Sequence, residues 1–171
     1  MAEPTAAASR YDALLQVLRT SDTLWNASRL FFEHWQLSPS QFNILNLLVA
    51  HPQGLSQIEL SSELITHRSN VTGLIDRLEQ RGLVERKDRV SDRRAYRVVL
   101  TASGAALLKE ILPHYYRKAD DVWRGLSSGR VSQMTADLKH MARNAQLIAE
   151  GQTGGANRTK NKAAEPGPTA H

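Results

Sequence analysis

Cysteine is absent from the sequence, which excludes disulfide staples, thiolate zinc sites and thiol-based redox sensing and suits a reducing compartment. No stretch approaches the roughly 18 consecutive apolar residues of a membrane-spanning helix. The N-terminus also lacks the basic-then-apolar order of an export signal. A cytoplasmic protein with no membrane partner is therefore expected. There is no glycine-rich phosphate loop, no thiol nucleophile and no acidic cluster at metal-binding spacing, so nothing points to an enzyme or to a cofactor. His34, His51, His67, His114, His140 and His171 fall on separate segments without an i, i+4 pair, which argues against a metal site.

What is present is a basic chain of 171 residues with a formal charge of +5. That length suits one domain and one core, and that charge suits a polyanionic partner. Residues 1–9 and 150–171 are small, polar or Pro- and Gly-containing, too poor in large apolar side chains to offset their ordering entropy, and are expected to be disordered. Between them, Tyr11, Leu14, Leu15, Leu18, Trp25, Phe32 and Trp35 recur at helical spacing over residues 10–36. Ser38 and Pro39 read as the cap and first residue of a second helix ending near His51 and Pro52. Ser56 with Glu59 matches a capping box that opens a short helix. Thr66 is the next candidate cap, for a helix with Val71, Leu74, Ile75 and Leu78 inward and Gly82 at its end.

After Gly82 the period changes. Leu83 to Lys87 and Tyr96 to Leu100 alternate as strands around a charged tip, which predicts a β-hairpin. Helical spacing returns over residues 103–126, with a kink expected at Pro113, and continues over 131–149. The fold class is thus mainly α with a small β-hairpin. Short helix, turn, longer helix and charged hairpin is the order of a winged helix-turn-helix, here spanning residues 39–101, whose second helix enters the major groove of double-stranded DNA. On that helix the residues outside the apolar stripe include Arg68, Ser69, Asn70, Thr72 and Arg77, groups able to reach base edges or phosphates. The hairpin carries six basic residues against two acidic ones between positions 86 and 97.

The stretches Ser56-Gln57-Ile58-Glu59-Leu60, Asn70 through Arg86, and Asp92-Arg93-Arg94 leading to Val98-Val99-Leu100-Thr101 resemble the MarR family of transcriptional regulators. The resemblance covers residues 10–149, with 66–101 as its specific part. It implies a single domain over 10–149 in which residues 10–36 and 103–149 are dimerisation helices. It also implies a homodimer on a pseudo-palindromic operator, in many members a repressor released by a small aromatic or phenolic ligand. By the same resemblance Arg93 is the wing-tip arginine for a minor groove. Asp92 and Arg94 form the wing's internal pair, while Arg94 or Arg86 reaches phosphate. Gly73 stands where relatives often carry a longer polar residue.

Each of these readings has a plainer rival. An arginine-rich hairpin can be a solvated turn, small polar residues are common near helix starts, and Asp92 serves equally well as a turn cap. The aromatics at helical spacing are most simply core or interface, yet Trp25, Arg29 and His34 together offer an apolar surface with positive charge to an anionic aromatic effector. The alternative function is a general architectural protein that coats DNA without reading bases and has no effector.

Overall fold

The computed structural model describes residues 9–64, 71–89 and 92–162. The elements run α1 (Arg10–Glu33), α2 (Pro39–Val49), α3 (Gln57–Glu63), α4 (Val71–Gln80), β1 (Val84–Arg89), β2 (Asp92–Leu100), α5 (Ala102–Val122) and α6 (Ser128–Lys162). This is a mainly helical fold with a two-stranded antiparallel hairpin, the winged helix-turn-helix expected from the sequence. No helix among the described residues is long and apolar enough to cross a membrane.

The chain divides into two compact units, residues 1–115 and 116–171. In the first, three helices begin at reciprocal capping boxes, Ser9 with Asp12, Ser38 with Gln41, and Ser56 with Glu59. Each serine hydroxyl satisfies a backbone N–H that the helix itself leaves unpaired, and the residue three on reaches back. Helix α1 stops at Glu33, three residues short of the expected 36, because Gln36 adopts a positive φ of 53° and Leu37 N–H donates back to Phe32 O at 3.2 Å.

The core gathers Phe32, Phe42, Ile44, Leu45, Leu48, Leu60, Ile75, Leu78, Val98, Leu108 and Ile111. Phe32 stacks on Phe42 at 4.3 Å between ring centroids, with Tyr115 at 4.9 Å from Phe42. Leu55 adds a bridge that the sequence pattern does not announce. It exchanges both backbone hydrogen bonds with Val98, at 3.0 and 2.8 Å, so the hairpin is tied to the segment that enters α3. Two glycines permit the close approaches around it. A Cβ on Gly54, at φ +73°, would fall 2.4 Å from Val98 O, and one on Gly104 would fall 2.1 Å from Leu83 O. Helix α5 passes through Pro113 as one continuous element.

In the second unit, Gly125 turns the chain at φ +87° and α6 follows. The sequence places the end of the last helix at 149, whereas α6 runs on to Lys162. Extending an existing helix by one residue needs no new nucleation, so it continues through a segment with three glycines and a single alanine that would not start one. The long apolar side chains of α6, including Met134, Leu138, Met141, Leu147 and Ile148, stand exposed.

Candidate nucleic-acid interface

Helices α3 and α4 and the β1–β2 hairpin are the elements to which the sequence assigns the candidate interface. Of the residues assigned to it, Arg68, Ser69 and Asn70 lie outside the described residues. Thr72 and Arg77 are exposed on α4. Asp92, Arg93 and Arg94 belong to β2, with Asp92 paired in register to Arg89 next to an irregularity between Asp88 and Arg89; for these three the description is of the backbone.

Arg86 has an occupation that the sequence reading did not anticipate. Its guanidinium forms ion pairs with both Asp76 and Glu79 of α4, while its backbone N–H donates to Glu79 Oε1 at 3.0 Å. It also lies over the Tyr96 ring, 5.1 Å from the centroid. Burial works against the charge, but hydrogen bonds with Asp76 and Tyr96 and the negative charge of Glu79 outweigh it and hold the pKa above the ordinary arginine value. A guanidinium so engaged fastens the hairpin to α4; the resemblance offers Arg94 or Arg86 for the phosphate contact. Arg97 is similarly occupied. It donates to Gly54 O at 2.6 Å and pairs with Glu59 at 3.3 Å, joining β2 to the start of α3. Two of the six basic residues of the wing thus hold the lobe together.

A directed set of hydrogen bonds runs across the same lobe. Tyr96 Oη–H donates to Gln57 Oε1 at 2.6 Å, and Gln57 Nε2–H donates to Thr72 Oγ1. At the far end of α4, Arg81 donates to Gln36 O at 2.6 Å and Trp35 O at 3.0 Å, and the Trp35 indole donates to Glu110 at 2.7 Å. Asp76, Glu79, Gln57, Tyr96, Arg97 and Arg81 were all missed as supporting residues. For Arg86 a signal existed. Strand alternation puts it on the face of Val84, opposite Val98 in the register, and Asp76 and Glu79 sit three apart on the preceding helix, the spacing of helix-surface neighbours.

The three residues that the sequence offers to an effector separate. Trp25 and Arg29 line a cleft of about 400 Å³ with Leu30, Glu33, Gln36, Leu37, Ser38 and Pro39. His34 is not part of that lining; its ring packs edge-on against Trp35 at 4.8 Å. Among the described residues no group of three or more His, Asp or Glu is placed to hold a metal ion.

Comparison with known proteins fits this architecture. The MarR family model matches residues 37–96. The transcriptional repressor MprA of Escherichia coli K12 is 37% identical over 76 residues, which are 44% of this chain but only 43% of MprA, so the chain matches less than half of that relative's length. The HTH-type transcriptional regulator MhqR of Bacillus subtilis is 30% identical over 110 residues, 64% of this chain and 75% of that one. Among solved structures, that of the MepR–DNA complex from S. aureus superposes with a TM-score of 0.69 at 25% identity, covering 80% of this chain and 99% of MepR. By the matched residues, the shared length with MhqR and the common fold, this chain belongs to the MarR family.

Proposed function

We propose that the protein is a homodimeric, sequence-specific DNA-binding transcriptional regulator that acts as a repressor and is released by a small aromatic, phenolic or anionic ligand. The observation that carries this reading is the fastening of the hairpin to α4 through Arg86, Asp76 and Glu79. A wing that merely carried charge would need no such attachment. A wing that must reach one groove while a helix reads the neighbouring one needs its position fixed relative to that helix.

In this reading the DNA-binding lobe spans residues 39–101. Arg68, Ser69, Asn70, Thr72 and Arg77 face the major groove or its phosphates. Arg93, beside Asp92 and Arg94, enters an adjacent minor groove, where a narrow A·T-rich segment concentrates negative potential. The exposed apolar residues of α1, among them Tyr11, Leu14 and Leu18, and those of α6 are covered by a second copy of the chain. Two-fold symmetry then sets recognition helices roughly 34 to 36 Å apart, one turn of DNA, and requires an inverted repeat. The cleft beside Trp25 and Arg29 takes the effector: apolar walls bind a ring, and Arg29 attracts an anionic group. To act, the effector must bind the released state better than the DNA-competent one. MprA and MhqR, named as a repressor and a regulator, and the DNA-bound MepR support the reading by kinship.

An Arg93→Ala variant tests the wing. It should remain folded and dimeric by thermal melting and light scattering yet lose operator affinity in an anisotropy titration. Unchanged affinity removes the wing from the interface.

A further inference from the structure

The hydrogen bonds linking β2, α3 and α4 have a direction, and that direction decides what Thr72 offers. Tyr96 Oη–H donates to Gln57 Oε1 at 2.6 Å, while the Arg86 guanidinium lies over the phenol ring. A primary amide has one accepting and one donating end. With Oε1 turned to Tyr96, Nε2 is turned to Thr72 and donates to its hydroxyl oxygen. A hydroxyl that accepts is a stronger donor in turn, and its proton is directed away from the amide that feeds it. Thr72 is exposed, Gln57 and Tyr96 are half-buried, so the protected part of the chain sets the exposed part. Arg86 cannot reverse the order, because a guanidinium has no acceptor and two carboxylates hold it in place.

We propose that Gln57 is a positioning residue: it makes Thr72 a hydrogen-bond donor toward DNA, so that this point of α4 recognises an acceptor, a purine N7 or a phosphate oxygen. This rests on the reading of α4 as the helix that faces DNA. The decisive variant is Gln57→Glu. A carboxylate accepts from both Tyr96 and Thr72, so the threonine proton is drawn inward and the outward donor is lost. Thr72→Val removes the hydroxyl with little change of shape.

The test uses the full-length protein and a duplex that the wild-type chain selects from a randomised pool. Each purine is replaced in turn by its 7-deaza analogue and each phosphate by a neutral methylphosphonate. Affinity for each modified duplex is divided by affinity for the parent, a ratio that cancels the general repulsion of an added carboxylate. For the wild type, one replacement should weaken binding about three- to tenfold, the range of one neutral hydrogen bond; a 7-deaza position identifies a base and a methylphosphonate a phosphate. That sensitivity should vanish in both Thr72→Val and Gln57→Glu. A Gln57→Glu ratio equal to the wild-type ratio, or a Thr72→Val protein that keeps every wild-type sensitivity, overturns the proposal. Without DNA, Tyr96→Phe should shift the Gln57 side-chain amide resonances; unmoved resonances show that the directed chain does not exist and also overturn it. A wild-type chain that selects no duplex removes the DNA reading and this assignment with it, and the amide resonances tell that failure apart from a broken hydrogen-bond chain.

Discussion

Replacing Arg86 by alanine leaves Asp76 and Glu79, three residues apart on α4, facing each other without the cation that both now share. Breaking a buried pair from one side costs about 3–5 kcal/mol, whereas exposed pairs contribute about 0–1 kcal/mol. The Arg86 side chain is 23% exposed and its partners 48% and 36%, so solvent screens the carboxylates substantially. The loss therefore falls between the two limits, at about 2 kcal/mol. For a chain of this size that lowers the melting temperature by about 4–8 °C, measured at fixed protein concentration because dimer stability depends on it. Arg86→Lys should recover less than half, since a single ammonium cannot bridge two carboxylates as a planar fork does. Salt dependence distinguishes this role from a phosphate contact. Loss of one phosphate contact reduces the slope of log affinity against log salt by about 0.9, whereas a loosened wing weakens binding with the slope little changed. A melting temperature within about 1 °C of the wild type, or a slope reduced by a full contact, would refute the reasoning.

Three further substitutions probe the lobe and the cleft. Gly104→Ala drives a Cβ to 2.1 Å from Leu83 O and 2.7 Å from Leu100 Cδ1; since the Leu83 carbonyl is held by Thr101 N–H just before β1 and has little room to retreat, urea denaturation should show a loss of about 3 kcal/mol. Gly82→Ala, at φ +66° but with nothing within 4 Å, should cost only about 1 kcal/mol for the left-handed conformation, so the order of the two variants checks the packing argument. Arg29→Ala should weaken binding of benzoate, a small aromatic anion, in a calorimetric titration while leaving DNA affinity in its absence within about twofold; equal benzoate affinity in the two proteins would remove Arg29 from the effector site.

The parts of the fold legible in the sequence are those written in local chemistry. Ser38 before Pro39 and Ser56 before Glu59 mark helix starts because a cap is a matter of neighbouring residues, and both boxes are present. The stripe Val71, Leu74, Ile75 and Leu78 is buried as its 3.6-residue spacing requires. The Leu55–Val98 bridge escaped because one residue has no period. Arg86 and Arg97 were read with their neighbours as one positive patch, since composition records charge and not direction. Strand alternation, which puts Arg86 on the face of Val84, and the register, which sets it opposite Val98, separate an inward arginine from an outward one. The cleft was legible in part: Trp25 and Arg29, four residues apart, share its wall, but His34, which keeps helical dihedrals as the C-cap of α1, lies nine residues from Trp25 and so on the opposite face of the helix.

The proposed function requires this lobe to read a DNA sequence and not merely to coat a polyanion. The most direct measurement is competition between an inverted repeat selected by the protein and a scrambled duplex of the same length and composition, by fluorescence anisotropy at near-physiological salt. A specific regulator should prefer the repeat by about 10³-fold or more, as operator-binding proteins do. A ratio of about tenfold or less at that salt would contradict the claim and leave a general DNA-coating protein in its place.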